Sequence, residues 1–285
     1  HINQTKENHS NMAVTMADIT HLRKMSGAGM MDCKKALEEA DNDFEKAMEI
    51  IRKKGQAVAA KRSDREAAEG CVLAADEGGF AAIVALKCET DFVAKNADFV
   101  ALTQDILNAA MTGKPASKEA LLAATLQGGR TVENHITDRI GVTGEKMELG
   151  YYESVQGAAT VSYIHPGNKL ASIVAFNEPV DHHVAREIAM QVAAMNPVAV
   201  TPDEVPAHVL DTEREVARDK ARQAGKPENL LDRIAEGALQ KYFKENTLLQ
   251  QEYVKDAKLT VQQYLQQKSK TLTVTAFKRV TLNVD

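Results

Sequence analysis

The residues best suited to chemistry are scattered along the sequence. His182 and His183 stand side by side after Asp181, and Cys88-Glu89-Thr90-Asp91 sets a thiol among carboxylates. Gly141-Val142-Thr143-Gly144-Glu145-Lys146 holds the letters of a phosphate-binding loop. Spacing argues against each. Neighbouring residues on a helix point about 100° apart, so the two histidines cannot easily share a metal. They read instead as polar residues at a helix start. A phosphate cradle needs G-x-x-x-x-G-K-[ST], and residues 141–146 set those letters at other intervals. Cys88 has no histidine near it to act as base. The expectation is a protein that is not an enzyme, with no cofactor, no metal site and no nucleotide site of its own.

One segment, Thr90-Asp91-Phe92-Val93-Ala94-Lys95-Asn96-Ala97-Asp98-Phe99, is more informative. It follows an apolar, strand-like run. Thr90 or Asp91 could cap a short helical turn before a longer helix begins near Asp98. On pattern alone, Phe92 would staple that turn into the core.

The elements that must position this segment follow from periodicity. Ile19, Leu22 and Met25, then Met30, Cys33, Leu37 and Ala40, then Phe44, Ala47, Met48 and Ile51 make three apolar stripes at helical spacing. These short helices must pack on one another, the third ending at Gly55. Gln56 to Ala68 reads as a tether. From Gly70 the period changes to two. Cys71–Ala75 and Phe80–Lys87 form a hairpin, and a helix on Phe99, Leu102, Ile106 and Ala110 follows. The same order recurs in Ala158–Ile164, Lys169–Phe176 and the helix on Val184, Ile188, Val192 and Met195. Residues 203–247 are densely charged, with thin stripes Val205, Val209, Val216 and Leu230, Ile234, Ala238. Pairs such as Glu215 with Arg218 and Asp219 with Arg222 stand at helical neighbour spacing. An antiparallel helical hairpin projecting into solvent is expected, turning at Gly225-Lys226-Pro227. A short helix, Thr260 to Gln267, and a strand close the chain. In that strand Leu272, Val274, Ala276, Val280, Leu282 and Val284 alternate with polar residues, and Lys278 breaks the pattern.

The expected fold class is α+β, with duplicated α+β core subdomains. Residues 1–12 read as a tag or disordered tail, 13–55 as a three-helix domain and 56–69 as a linker. Residues 70–150 form the first core subdomain; 151–202 and 248–285 form the second, with 203–247 inserted between them as the helical hairpin. The 285 residues carry a formal net charge of -5, which argues against nucleic-acid binding. No apolar run approaches the roughly 20 residues of a membrane helix. Cys33, Cys71 and Cys88 are too few and too scattered for a disulfide framework, which fits a cytoplasmic protein.

Thr90 to Phe99 resembles the TDFVA-K-N/D signature of the elongation factor Ts family, and Ser26 to Lys35 (SGAGMMDCKK) resembles its N-terminal signature. The resemblance runs from about Ala17 to the final strand. It implies an N-terminal domain of the ubiquitin-associated type, a two-part core and an inserted hairpin. It also implies guanine-nucleotide exchange on a partner GTPase, elongation factor Tu in its GDP-bound form. Thr90, Asp91, Phe92 and Val93 would intrude beside the partner's magnesium site. Arg23, Met30 and Met31 match family positions that grip the GTPase, and Val254 resembles a later contact. Gln191 falls at a further partner-binding position, where many members have a histidine, so the contact there is expected to be kept by a replacement or lost. The chain ends at Asp285, so the extra C-terminal module of some members is not expected. The hairpin is a candidate route to a homodimer or a 2:2 complex. A rival reading makes the bundle and the hairpin docking modules of an adaptor without exchange activity.

Overall fold

The structure, a computed structural model, describes residues 13–283. The expected tail at 1–12 and the final two residues, Val284 among them, lie outside the described residues. The chain folds as α+β and divides into two compact units. Unit one takes the chain up to Cys71 together with Ala85–Tyr151, and unit two takes Val72–Val84 with the chain from Tyr152 onward.

Unit one opens with α1 (Met16–Ser26), α2 (Met30–Glu39) and α3 (Phe44–Arg62). The strands β1 (Glu69–Glu77) and β2 (Phe80–Cys88) follow, then α4 (Asp91–Lys95), α5 (Ala97–Gly113), α6 (Lys118–Leu122), α7 (Val132–Thr143) and β3 (Glu148–Gln156). The strands order as β1-β2-β3, and the unit boundary falls within all three. The patterns above leave α6, α7 and β3 unassigned. α1 begins with a capping box: the Asp18 N–H donates to Thr15 Oγ1, and the Thr15 N–H donates to Asp18 Oδ2. It ends at Gly27, φ 71°, a left-handed position that costs other residues about 1–2 kcal/mol. Ile19, Leu22, Cys33, Leu37, Ala47 and Ile51 meet in one small core.

The expected stop at Gly55 is corrected, because α3 runs on to Arg62 and takes in the first half of the expected tether. The segment Gln56 to Ala60 is rich in alanine, the best helix former, so propagation continues. Gly55 is a packing glycine. A Cβ there would lie 2.5 Å from the Thr137 carbonyl oxygen, and a Cβ on Gly141 would lie 2.9 Å from the Gly55 Cα. The paired glycines let α3 and α7 meet backbone to backbone.

Unit two contains β4 (Ala159–Ile164), β5 (Leu170–Phe176), α8 (His182–Met195), α9 (Ala207–Gln223) and α10 (Leu231–Asn246). It closes with β6 (Glu252–Tyr253), β7 (Asp256–Thr260), α11 (Val261–Lys268) and β8 (Val274–Thr281). The antiparallel sheet β4-β5-β8 carries α8 on its surface, around a core of Val161, Val174, Phe176, Ile188, Val192 and Leu265. The final strand joins this sheet, as its pattern predicts, but its alternation is corrected. A bulge shifts the register between Ala175 and Phe176. Val274 and Phe277 therefore both pack on the core, and Arg279 reaches α8 by donating to the Ala193 carbonyl. Lys278 breaks the apolar pattern as expected: it is exposed between Ala276 and buried Val280, and pairs with Glu153 at 3.8 Å.

α9 and α10 pack antiparallel; Arg214–Glu236 and Arg218–Asp232 are cross-helix ion pairs in reverse order, and Arg222 on α9 pairs with Glu228 in the turn before α10. Asp219 pairs with Arg222 as expected, but Arg218 chooses Asp232 on the other helix over Glu215. The buried seam of α10 is Leu231, Ala235, Leu239 and Phe243, one position on from the expected stripe, and Val216 and Leu230 are exposed. A short 3-10 turn, Glu228–Leu230, precedes α10 and sets that phase.

Candidate functional site

β2 is a nearly continuous apolar run, FAAIVAL, buried on both faces. It delivers the chain to the surface at Glu89 and Thr90. Thr90 adopts extended geometry and caps α4, its hydroxyl accepting from the Val93 N–H at 3.4 Å. One turn of helix then places Ala94 inside and Phe92 outside. The expectation that Phe92 staples the turn is corrected: its ring is 85% exposed. Val93 and Thr90 are half-buried, and exposed Asp91 lies 3.8 Å from Lys95.

A second tie holds this turn. Glu145 Oε1 accepts from the backbone N–H groups of Glu89 at 3.1 Å and Thr90 at 2.9 Å, while Oε2 accepts from the Thr90 hydroxyl at 2.7 Å. Glu89 reciprocates, accepting from the Lys146 N–H at 2.8 Å. Glu145 follows Gly144, the left-handed cap of α7, so the phosphate-loop letters have structural uses. Cys88 is buried, with its S–H donating to the Thr90 carbonyl; burial, then Glu145, pushes its thiol up to about 12. It remains a thiol at neutral pH and supplies no nucleophile.

The other expected contacts of unit one lie on the helical bundle. Arg23 is exposed on α1, while Met30 and Met31, in the first turn of α2, are 44% and 59% exposed. Arg23 lines a cleft of about 390 Å3 with Lys24, Gly27, Asp98, His135 and Arg139. Arg139 closes its floor, donating to the Gly27 carbonyl at 3.0 Å. Asp98 belongs to the first turn of α5, directly after α4, so this cleft is shared by Arg23 and the helix that carries on from the Phe92 turn.

In unit two, Gln191 and Val254 are brought together. Val254 is 56% exposed at the β6–β7 turn, whereas the expectation for Gln191 as a contact residue is corrected: on α8 it is only 2% exposed, its amide used inside the chain. Gln191 Oε1 accepts from the Val254 N–H at 2.9 Å, and its Nε2 donates to the Glu252 carbonyl at 3.0 Å. Glu187, one turn earlier on α8, accepts from the Tyr253 hydroxyl at 2.9 Å and from Lys255 Nζ at 2.6 Å. Burial raises the Glu187 carboxyl, but Lys255, Tyr253 and His183 together outweigh it and hold the group below its ordinary range. Val254 is thus mounted on a turn gripped on both sides. Beside it lies a pocket of about 210 Å3 lined by Tyr163, His165, Met190, Gln191, Tyr253 and Val254. His183 sits at the helix start as expected: Asp181 caps α8 by accepting from the His183 backbone N–H, and the His183 ring lies 3.3 Å from Glu187. Among the described residues, no cluster of His, Cys, Asp and Glu could hold a metal ion, and no helix is long and apolar enough to cross a membrane.

The family model described as elongation factor TS matches residues 89–283, well over half of the chain. The chain belongs to the elongation factor Ts family. An elongation factor Ts from Porphyromonas gingivalis is 74% identical over 274 residues, covering 96% of this chain and 100% of the relative. Relatives of the same name from Azobacteroides pseudotrichonymphae and Bacteroides fragilis are 54% and 47% identical, with the same coverage. Membership places the chain among the translation elongation factors of protein biosynthesis. The matched span includes Thr90–Val93, Gln191 and Val254, and begins after Arg23, Met30 and Met31.

Glu145, Glu187 and Arg139 escape a reading of the sequence. Each acts on a residue far away along the chain, and a lone charged residue in a turn or on a helix carries no local mark of such a partner.

Proposed function

We propose that this chain is a guanine-nucleotide exchange factor for elongation factor Tu, binding its GDP form and promoting GDP release without doing chemistry of its own. The observation that carries the reading is Phe92: a large apolar ring, 85% exposed, on a turn tied down at its base. An exposed aromatic on a rigid mount is a poor arrangement for a free molecule and a good one for entering a neighbour. Asp91 beside it brings a negative charge towards the partner's magnesium and phosphate site. Magnesium fixes the phosphates and loops of a GTPase, so disturbing it weakens nucleotide binding.

The energetics require a broad grip. Full burial of a Phe ring contributes about 1.5–3 kcal/mol. Each tenfold loss of GDP affinity needs about 1.4 kcal/mol of coupling, and that coupling is reciprocal. The remainder would come from Arg23, Met30 and Met31 on the bundle, read as the ubiquitin-associated-like docking module, and from Val254 held by Gln191. In this reading Gln191 acts through Val254 and touches no partner itself. The α9–α10 pair is read as the inserted hairpin, with self-association into a homodimer or 2:2 complex as its proposed use, and the site of action as the cytoplasm.

The test is stopped-flow release of labelled GDP from elongation factor Tu. The unaltered chain should accelerate release, and Phe92→Ala should slow it by about tenfold to a hundredfold while the complex still forms. Equal release rates for the two proteins would remove Phe92 from the mechanism.

A further inference from the structure

We infer that Glu145 is the positioning residue of the Thr90–Phe92 turn, acting by holding the turn in the shape it presents to the partner; this rests on the exchange reading above. The need for such a residue follows from the size of α4. Five residues make barely more than one helical turn, and a helix so short does not hold itself together in water. Phe92 and Asp91 face solvent and contribute no packing to the turn, so only Ala94 and half-buried Val93 anchor it from below. The anchor from the side is Glu145. Its two carboxylate oxygens take three hydrogen bonds, from both backbone N–H groups that enter the turn and from the Thr90 hydroxyl. That same hydroxyl caps α4 by accepting from Val93, so Glu145 also fixes the direction in which the cap points. Charge-assisted bonds of this kind are shorter and stronger than neutral ones.

The return bond from the Lys146 N–H to Glu89 makes the tie reciprocal, and Thr143 Oγ1 accepts from the Glu145 N–H at 3.2 Å. The clamp is therefore itself seated on the end of α7. A turn ordered in advance loses less freedom on binding, and the gain is realised at the step where the ring and carboxylate must be in place.

The experiment compares the unaltered chain, Glu145→Ala and Glu145→Gln as full-length proteins in the labelled-GDP release assay, titrating each factor to saturation. Amide hydrogen exchange at Glu89 and Thr90 and thermal unfolding are followed alongside. Glu145→Ala should lower the saturating release rate by about tenfold and change the half-saturating concentration by less than about threefold. The Glu89 and Thr90 amides should exchange faster. A glutamine can rebuild the clamp, its carbonyl oxygen accepting both N–H groups and its NH2 donating to Thr90 Oγ1, so Glu145→Gln should stay within about threefold of the unaltered chain. Full activity of Glu145→Ala would overturn the proposal. So would a glutamine variant as defective as the alanine one, or a defect that disappears once rates are corrected for the folded fraction. If the unaltered chain fails to accelerate release, the exchange reading itself falls, and amide exchange at Glu89 and Thr90 decides the clamp separately: unchanged protection in Glu145→Ala would overturn it.

Discussion

Phe92 and Gln191 show how burial sorts residues that look equivalent along the chain. One is an apolar ring left in water; the other is a polar amide held inside with its donor and acceptor both used. Glu187 belongs with Gln191, and its chemistry can be tested through pH. Its carboxyl is held below the ordinary value of 4.5, so the folded state binds its proton less readily than the unfolded chain does. The stability this contributes is present above pH 4.5 and is lost as pH falls through the lower folded value. Glu187→Gln should cost about 1–3 kcal/mol near pH 6, through weaker bonds to Lys255 and Tyr253. The gap to the unaltered protein should narrow as the pH drops below 4.5, so urea midpoints at pH 6 and pH 3.5 check both the size and the sign. The same variant should weaken the complex if the Val254 turn is a contact, because that turn loses one of its two holds.

At the scale of elements, the glycine crossing of α3 and α7 invites a direct test. Gly55→Ala forces a methyl group against the Thr137 carbonyl, so the helices must separate or shear. A loss of about 1–3 kcal/mol is expected, read as a lower denaturant midpoint with an unchanged slope. The reference is Gly237→Ala, where the added Cβ meets nothing within 4 Å and helix propensity alone predicts a gain of about 1 kcal/mol. The same crossing explains what the sequence could and could not tell. The hairpins β1–β2 and β4–β5 and the helices α5 and α8 were legible because each has a clean apolar period and a turn of its own. Gly55 reads as a stop because a glycine that ends a helix and one that packs a helix look alike until the facing helix is known. Val274 and Phe277 share a face only because of a bulge, which is set by the partner strand. Thr90–Phe99 was legible as a site through its resemblance to a family, whereas its own pattern placed Phe92 inside. Hydrophobicity alone cannot register that a ring is kept exposed for a partner.

Over the whole molecule, charge is spent where burial is scarce. The α9–α10 pair joins its helices through a ladder of exposed ion pairs, which water screens strongly, above a thin apolar seam. Its base is firmer: the Val198 N–H donates to Asn246, the Leu248 N–H donates to Ala199, and Leu239 and Phe243 pack with Ala199 and Val205. Replacing residues 216–234 with a short glycine-rich turn should therefore keep a cooperative melt, with the thermal midpoint lowered by no more than about 5 °C. Circular dichroism through the transition measures it. The three cysteines have a practical consequence. Cys33, Cys71 and Cys88 are all sealed inside, and burial lifts every one of their thiols, Cys71 to about 11 and Cys88 to about 12. Maleimide conjugation proceeds through an accessible thiolate, so a single cysteine introduced at a surface position would take a fluorophore selectively while the native sulfurs stay silent. The chain is, in effect, already prepared as a spectroscopic reporter.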